Sequence, residues 1–127
     1  GEHVRVRAGL GLLDDEAAEW ARARVQRAEL VDLLRAEGLL GGGETEDDIV
    51  MAMHALLTRT PCRLLLASPH DVVGEVRQPN LPGTVTEYPN WQLPLPVTLE
   101  ALQRDSRVQR VLEILTVAPP HSAASAG

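Results

Sequence analysis

No phenylalanine occurs in the 127 residues, and aromatic side chains make up 2% of the chain: Trp20, Tyr88 and Trp91. Large aromatics normally supply much of the area that a core buries. A core made of Leu, Val and Ala buries less per residue, which predicts a chain that completes a core held elsewhere. Cysteine is nearly as scarce. Cys62 stands alone, which excludes an internal disulfide and fits a reducing, cytoplasmic setting. Positive charge is in deficit: 12 Lys and Arg face 18 Asp and Glu, for a net charge of −6. Phosphate binding needs a basic stripe and none is visible, so no nucleic acid partner is expected. No apolar run approaches the roughly 18 residues of a membrane span, and no signal-peptide pattern opens the chain, so no membrane partner is expected either.

What is present is ordinary for a globular chain, 44% hydrophobic and 24% charged. It opens at Gly1 without a methionine, which reads as a segment of a longer protein. Acidic residues at Asp14–Glu16 suit a helix start, and the spacing predicts a helix over Asp15–Glu37 with Ala17, Trp20, Ala21, Val25, Ala28 and Val31 on one face. Gly38 is its stop signal. Gly41-Gly42-Gly43 lacks the strand before it and the Lys-Ser/Thr after it that a phosphate loop requires, so it reads as a connector. Thr45 and Asp48 have the form of a capping box that opens a second helix, Glu46–Thr58, with Ile49, Val50, Met53, Leu56 and Leu57 as its apolar stripe. The carboxylates Glu44, Glu46, Asp47 and Asp48 read as solvated partners of that helix's dipole.

Cys62–Ala67 is a short apolar run between breakers, which reads as a strand buried on both faces of a parallel sheet. The chain offers no second run of that kind, so the sheet is expected to lie outside it. Cys62 accordingly reads as an inert core residue. Further on, Thr98 caps a short helix through Arg104. Asp105 or Ser106 starts the last helix, with Val108, Val111, Leu112 and Leu115 on one stripe. From Ala118 the composition predicts a disordered tail over residues 118–127.

Candidate chemistry is sparse. Ser68-Pro69-His70-Asp71 holds the residue types of a hydrolase triad, but adjacent residues do not supply triad geometry. Asp71 either lines a pocket at the end of the expected strand or braces its own loop. The histidines at 3, 54, 70 and 121 include no pair with ligand spacing and a third partner, so neither a metal site nor a cofactor is expected. Four of the nine prolines fall between Pro79 and Pro94, three of them within Gln78-Pro79-Asn80-Leu81-Pro82-Gly83-Thr84 and Glu87-Tyr88-Pro89-Asn90-Trp91. They stiffen a segment that is neither helix nor strand, and Gly83 marks a turn. An ordered loop of this length is usually functional. Asn80 is the best candidate for ligand contact, since its amide carries donors and an acceptor in fixed geometry. Trp91 and Tyr88 offer flat aromatic faces on which a ring-shaped ligand can lie. For Trp91, packing as an anchor of the loop is the preferred reading.

The string PNLPGT-x-x-EYPNW resembles the C-terminal end of the 4-α-glucanotransferases, also called amylomaltases or disproportionating enzymes. The likeness runs from near Gly1 to about Leu112 and takes in His54-Ala55-Leu56-Leu57-x-Arg59-Thr60-Pro61 and Asp71-Val72-Val73-Gly74. It implies an α/β fold. The chain would be the C-terminal fragment of a (β/α)8 barrel over residues 1–117, mostly helical, with one buried strand and a substrate loop over 69–97. It implies transfer of α-1,4-glucan segments to the 4-hydroxyl of acceptor glucans by retaining double displacement through carboxylates. Those carboxylates match no position here, so the segment alone is expected to be inactive. The implied substrate-binding residues are Asn80 and Gly83 in the Asn-x-Pro-Gly-Thr motif, with Asp71 and Trp91 as further candidates. The implied partners are a maltooligosaccharide and the N-terminal remainder of the barrel. Two other readings stay open: a stand-alone glucan-binding or regulatory module without catalysis, and a remnant without function.

Overall fold

Capping side chains set where several helices begin. In a computed structural model that describes residues 1–116, six helices follow one another: α1 (Glu2–Gly9), α2 (Glu16–Ala36), α3 (Glu46–Thr58), α4 (Pro69–Val72), α5 (Leu99–Leu102) and α6 (Ser106–Thr116). The side chain of Asp15 accepts from the Ala18 N–H at 2.9 Å to open α2. Thr45 Oγ1 accepts from Asp48 N–H at 3.2 Å while Asp48 Oδ2 accepts from Thr45 N–H at 3.0 Å, so α3 carries a complete capping box. Thr98 caps α5 in the same way through Ala101 N–H. At the end of α2, Gly38 takes φ of +68°, its N–H reaches Arg35 C=O and Leu39 N–H reaches Leu34 C=O. That is a Schellman stop, and Leu39 packs back onto the core beside Leu34.

Helix α3 is the shared wall of the interior. Ile49 and Ala52 face Val31 and Leu34 of α2 in one cluster. Met51, turned to the other side, packs with Val72 of α4 and Val111 of α6 in a second. The buried apolar side chains of the described residues include no aromatic, as the composition dictates. Helix α2 packs on α1 as well as on α3, and its buried residues, Val31 and Leu34, lie in its last turns. Val25 is 56% exposed and Ala17, Ala21 and Ala28 are exposed, so the face expected to be buried is largely open. Met53, expected inside, is exposed as well.

No strand occurs among the described residues. The expected α/β architecture, a (β/α)8 barrel fragment with a buried strand over Cys62–Ala67, is therefore corrected to a small all-helical piece. Backbone N–H and C=O groups of a β-segment need neighbours to pair with, and the described chain provides none. Cys62–Ala67 instead runs as an irregular connection, with Leu64 72% and Leu66 76% exposed. Cys62 is an exposed free thiol, not a core residue. The first residues of the expected 69–97 loop form α4, and the expected tail over 118–127 lies outside the described residues. No described helix is long and apolar enough to cross a membrane.

Candidate functional site

The Pro-rich loop replaces secondary structure with side-chain hydrogen bonds. Pro82 and Gly83 occupy the centre of a turn closed by Thr84 N–H on Leu81 C=O at 3.3 Å, with Gly83 at φ +88°. Proline first and a left-handed residue second is the signature of a type II turn. The hub is Asn90. Its Oδ1 accepts from the Leu81 N–H at 2.7 Å, and its Nδ2 donates to Thr84 Oγ1 at 3.0 Å. Leu81, 2% exposed, is thereby buried with its amide satisfied. Two more bonds tie the limbs of the loop: Tyr88 O–H to Gln78 C=O at 2.6 Å and Trp91 N–H to Pro79 C=O at 2.6 Å. Glu87 accepts from the N–H groups of Val85 and Thr86, and these backbone bonds hold its carboxyl below the ordinary range.

Three of the four residues singled out from sequence meet in this loop. Asn80 follows Pro79, the residue that accepts from Trp91, and Gly83 lies in the adjoining turn. Among the described residues Trp91 is 76% exposed. It also takes φ of +60°, the one non-glycine residue among those described with a left-handed backbone. That conformation costs about 1–3 kcal/mol for such a residue. Asp71 stands apart. It is exposed on α4 and lines a cleft of about 510 Å³ with Asp47, Val50, Met53 and His54, and none of Asn80, Gly83 or Trp91 borders it. Asn90 was not among the residues expected from sequence, and an asparagine between proline and tryptophan carries no local signal of its structural role.

The charged groups are arranged for structure. Glu75 is bonded by the Arg77 guanidinium and backbone, which lowers its pKa to about 2. Asp105 is held at about 2 by Arg107 in the same manner. Glu2, Glu44 and Asp48 are lowered too, through Arg5, Arg35 and Thr45 respectively. Every carboxyl here that departs from its ordinary value departs downward, the opposite of what a general acid at neutral pH requires. Among the described residues no three His, Cys, Asp or Glu side chains converge as a metal site needs.

A sequence profile of the 4-alpha-glucanotransferases (glycoside hydrolase family 77) matches residues 14–99. A 4-alpha-glucanotransferase of Mycobacterium tuberculosis strain H37Rv is 41% identical over 127 aligned positions, and those of strain CDC 1551 and of Mycobacterium bovis match equally. The alignment takes in 93% of this chain but 18% of each relative, so the chain spans under a fifth of their length. No solved structure matches. The matched span holds the loop, the capping box of α3 and the α4 turn, and on this evidence the chain belongs to the 4-alpha-glucanotransferase family.

Proposed function

We propose that this chain is the glucan-contacting segment of a 4-α-glucanotransferase that passes α-1,4-glucan fragments to the 4-hydroxyl of acceptor glucans by retaining double displacement. The observation that carries the reading is the loop over residues 78–92: it is ordered by its own hydrogen bonds, leaves Trp91 exposed and holds the half-buried Asn80 on the limb whose Pro79 carbonyl accepts from Trp91, within a chain of this family. The segment holds no catalytic pair. A retaining mechanism needs a nucleophilic carboxylate and a second carboxyl group whose pKa is raised for acid duty, and the lowered carboxyls here argue against any of them in that second role. Catalysis therefore belongs to further glucanotransferase sequence, which also acts as a protein partner. The exposed Leu64, Leu66, Val76 and Leu99 support such a partner, since isolated chains seldom leave so much apolar surface open. The exposed thiol of Cys62 suits the reducing cytoplasm.

The test is a pair of assays on the 127-residue chain. Incubated with maltotriose, it is expected to release no glucose. Titrated with maltoheptaose in a calorimeter, it is expected to bind saturably, and Asn80→Ala to weaken that binding. Glucose release by the chain alone would overturn the division of labour, and absence of binding would overturn the glucan contact. The stand-alone binding module stays in play through one observation: the loop needs no outside group to satisfy its hub residue Asn90.

A further inference from the structure

We infer that the cleft between α3 and the chain from Leu66 to Val76 binds a small organic cation, an amidinium or amine on an apolar body, through Asp47, Asp71 and Nε2 of His54. None of Asn80, Gly83 or Trp91 borders this cleft, and the inference does not rest on the glucan reading.

Helix α3 uses two of its faces for the core. Ile49 and Ala52 meet α2, while Met51 meets α4 and α6. Asp47, Val50, His54 and Leu57 follow at steps of three and four residues, which places them on one further face. All four line the cleft of about 510 Å³, together with Met53, Leu66 and Val76. A concavity of that volume, apolar in its walls with a few polar groups set among them, has the dimensions of a small-molecule site.

The polar groups fix what kind of molecule fits. His54 is 7% exposed, and its Nδ1 lies 2.8 Å from the Val50 carbonyl oxygen. That oxygen can only accept, so Nδ1 carries the proton and Nε2 of the neutral ring is left as an acceptor. Nε2 has no partner among the described residues, and no sealed-off side-chain nitrogen or oxygen there lacks one, so Nε2 opens into the cleft that the ring borders. The carboxylates are of two kinds. Glu46 is engaged by Arg27 and Glu75 by Arg77. Asp47 and Asp71 are exposed, and among the described residues neither side chain holds a hydrogen bond or ion pair. No Lys or Arg lines the cleft, and Arg107, beside Gly74 at its edge, is bonded to Asp105 at 2.7 Å. Apart from the Ser68 hydroxyl, every polar side chain of the lining is an acceptor. The complementary ligand donates hydrogen bonds and carries positive charge, and its apolar body covers Val50, Met53 and Leu57.

Benzamidine is the probe, with uncharged benzamide and anionic benzoate of the same shape as controls. The 127-residue chain is expected to bind benzamidine saturably in a calorimeter, and benzamide and benzoate at least about tenfold more weakly. Asp71→Asn and Asp47→Asn are each expected to lower benzamidine affinity severalfold with the helical signal unchanged, whereas Glu29→Gln, an exposed carboxylate outside the cleft, is expected to leave it alone. Nitrogen-15 spectra of labelled histidine are expected to show His54 protonated at Nδ1 and its Nε2 resonance moving with benzamidine. Maltoheptaose in excess is expected not to displace the probe. Absence of benzamidine binding, equal binding of benzamide, or equal binding by Asp47→Asn and Asp71→Asn would each overturn the site. So would a silent His54 Nε2, a loss in Glu29→Gln as large as in Asp71→Asn, or displacement by maltoheptaose, and none of these results bears on whether the loop contacts glucan except the last.

Discussion

The α2–α3 pair and the Pro-rich loop face one requirement, partners for their backbone N–H and C=O groups, and meet it in different ways. In the helices the partner is four residues back, and side chains are needed only at the ends, as at Thr45 and Asp48. In the loop, prolines remove donors and the chain cannot repeat itself, so single side chains take over: Asn90 for Leu81, Tyr88 for Gln78, Glu87 for Val85. The helical pair therefore depends on apolar burial, whereas the loop depends on a few named polar groups.

The sharpest way to break the helical side is Leu34→Ala. Leu34 is fully buried between α2 and α3, and its truncation is expected to cost about 2–5 kcal/mol in urea unfolding, with loss of helical signal. Asn90→Ala comes next. It strands the buried Leu81 N–H, a loss of about 1–3 kcal/mol, and circular dichroism is expected to keep its helical signal while maltoheptaose binding falls. Should helix content fall with it, the two regions are not separable. Thr45→Ala, which opens the capping box, is expected to cost about 1 kcal/mol in the same urea titration without touching glucan binding. The smallest expected effect is acid sensitivity. Glu75 and Asp105 titrate near 2 when folded, below their ordinary 4.5 and 3.8. Their contribution is complete above pH 4.5 and is lost as pH falls toward 2. Glu75→Gln is expected to flatten the fall of Tm between pH 4.5 and 2, and an unchanged profile would contradict it.

Sequence revealed most where a local rule decides the outcome. Asp15, Gly38, Thr45 with Asp48, and Thr98 are each read from one side chain and its near neighbours, and each does in the fold what its type predicts. It failed where a distant partner decides. The stripe of α2 has a clear period, but periodicity does not say which positions another helix covers: α1 and α3 both pack on α2, and Val25 and Ala28 stay exposed. Cys62–Ala67 has strand composition, yet composition cannot supply a sheet. Helix α1, which buries Val4, carries no side-chain cap to announce it. In the candidate site the motif pointed to a segment that the fold orders as a loop. It could not reveal that Asn90 organises the turn, nor that Trp91 points outward, because both follow from how the two limbs of the loop meet.

Amide hydrogen exchange on the intact chain bears most directly on the claim that the loop keeps its shape through its own side chains. The account predicts Leu81 and Trp91 amides that exchange slowly in the parent, with Leu81 alone released in Asn90→Ala while the amides of α3 stay slow. Leu81 and Trp91 amides exchanging at the rate of an unfolded peptide, beside a protected α3, would contradict it.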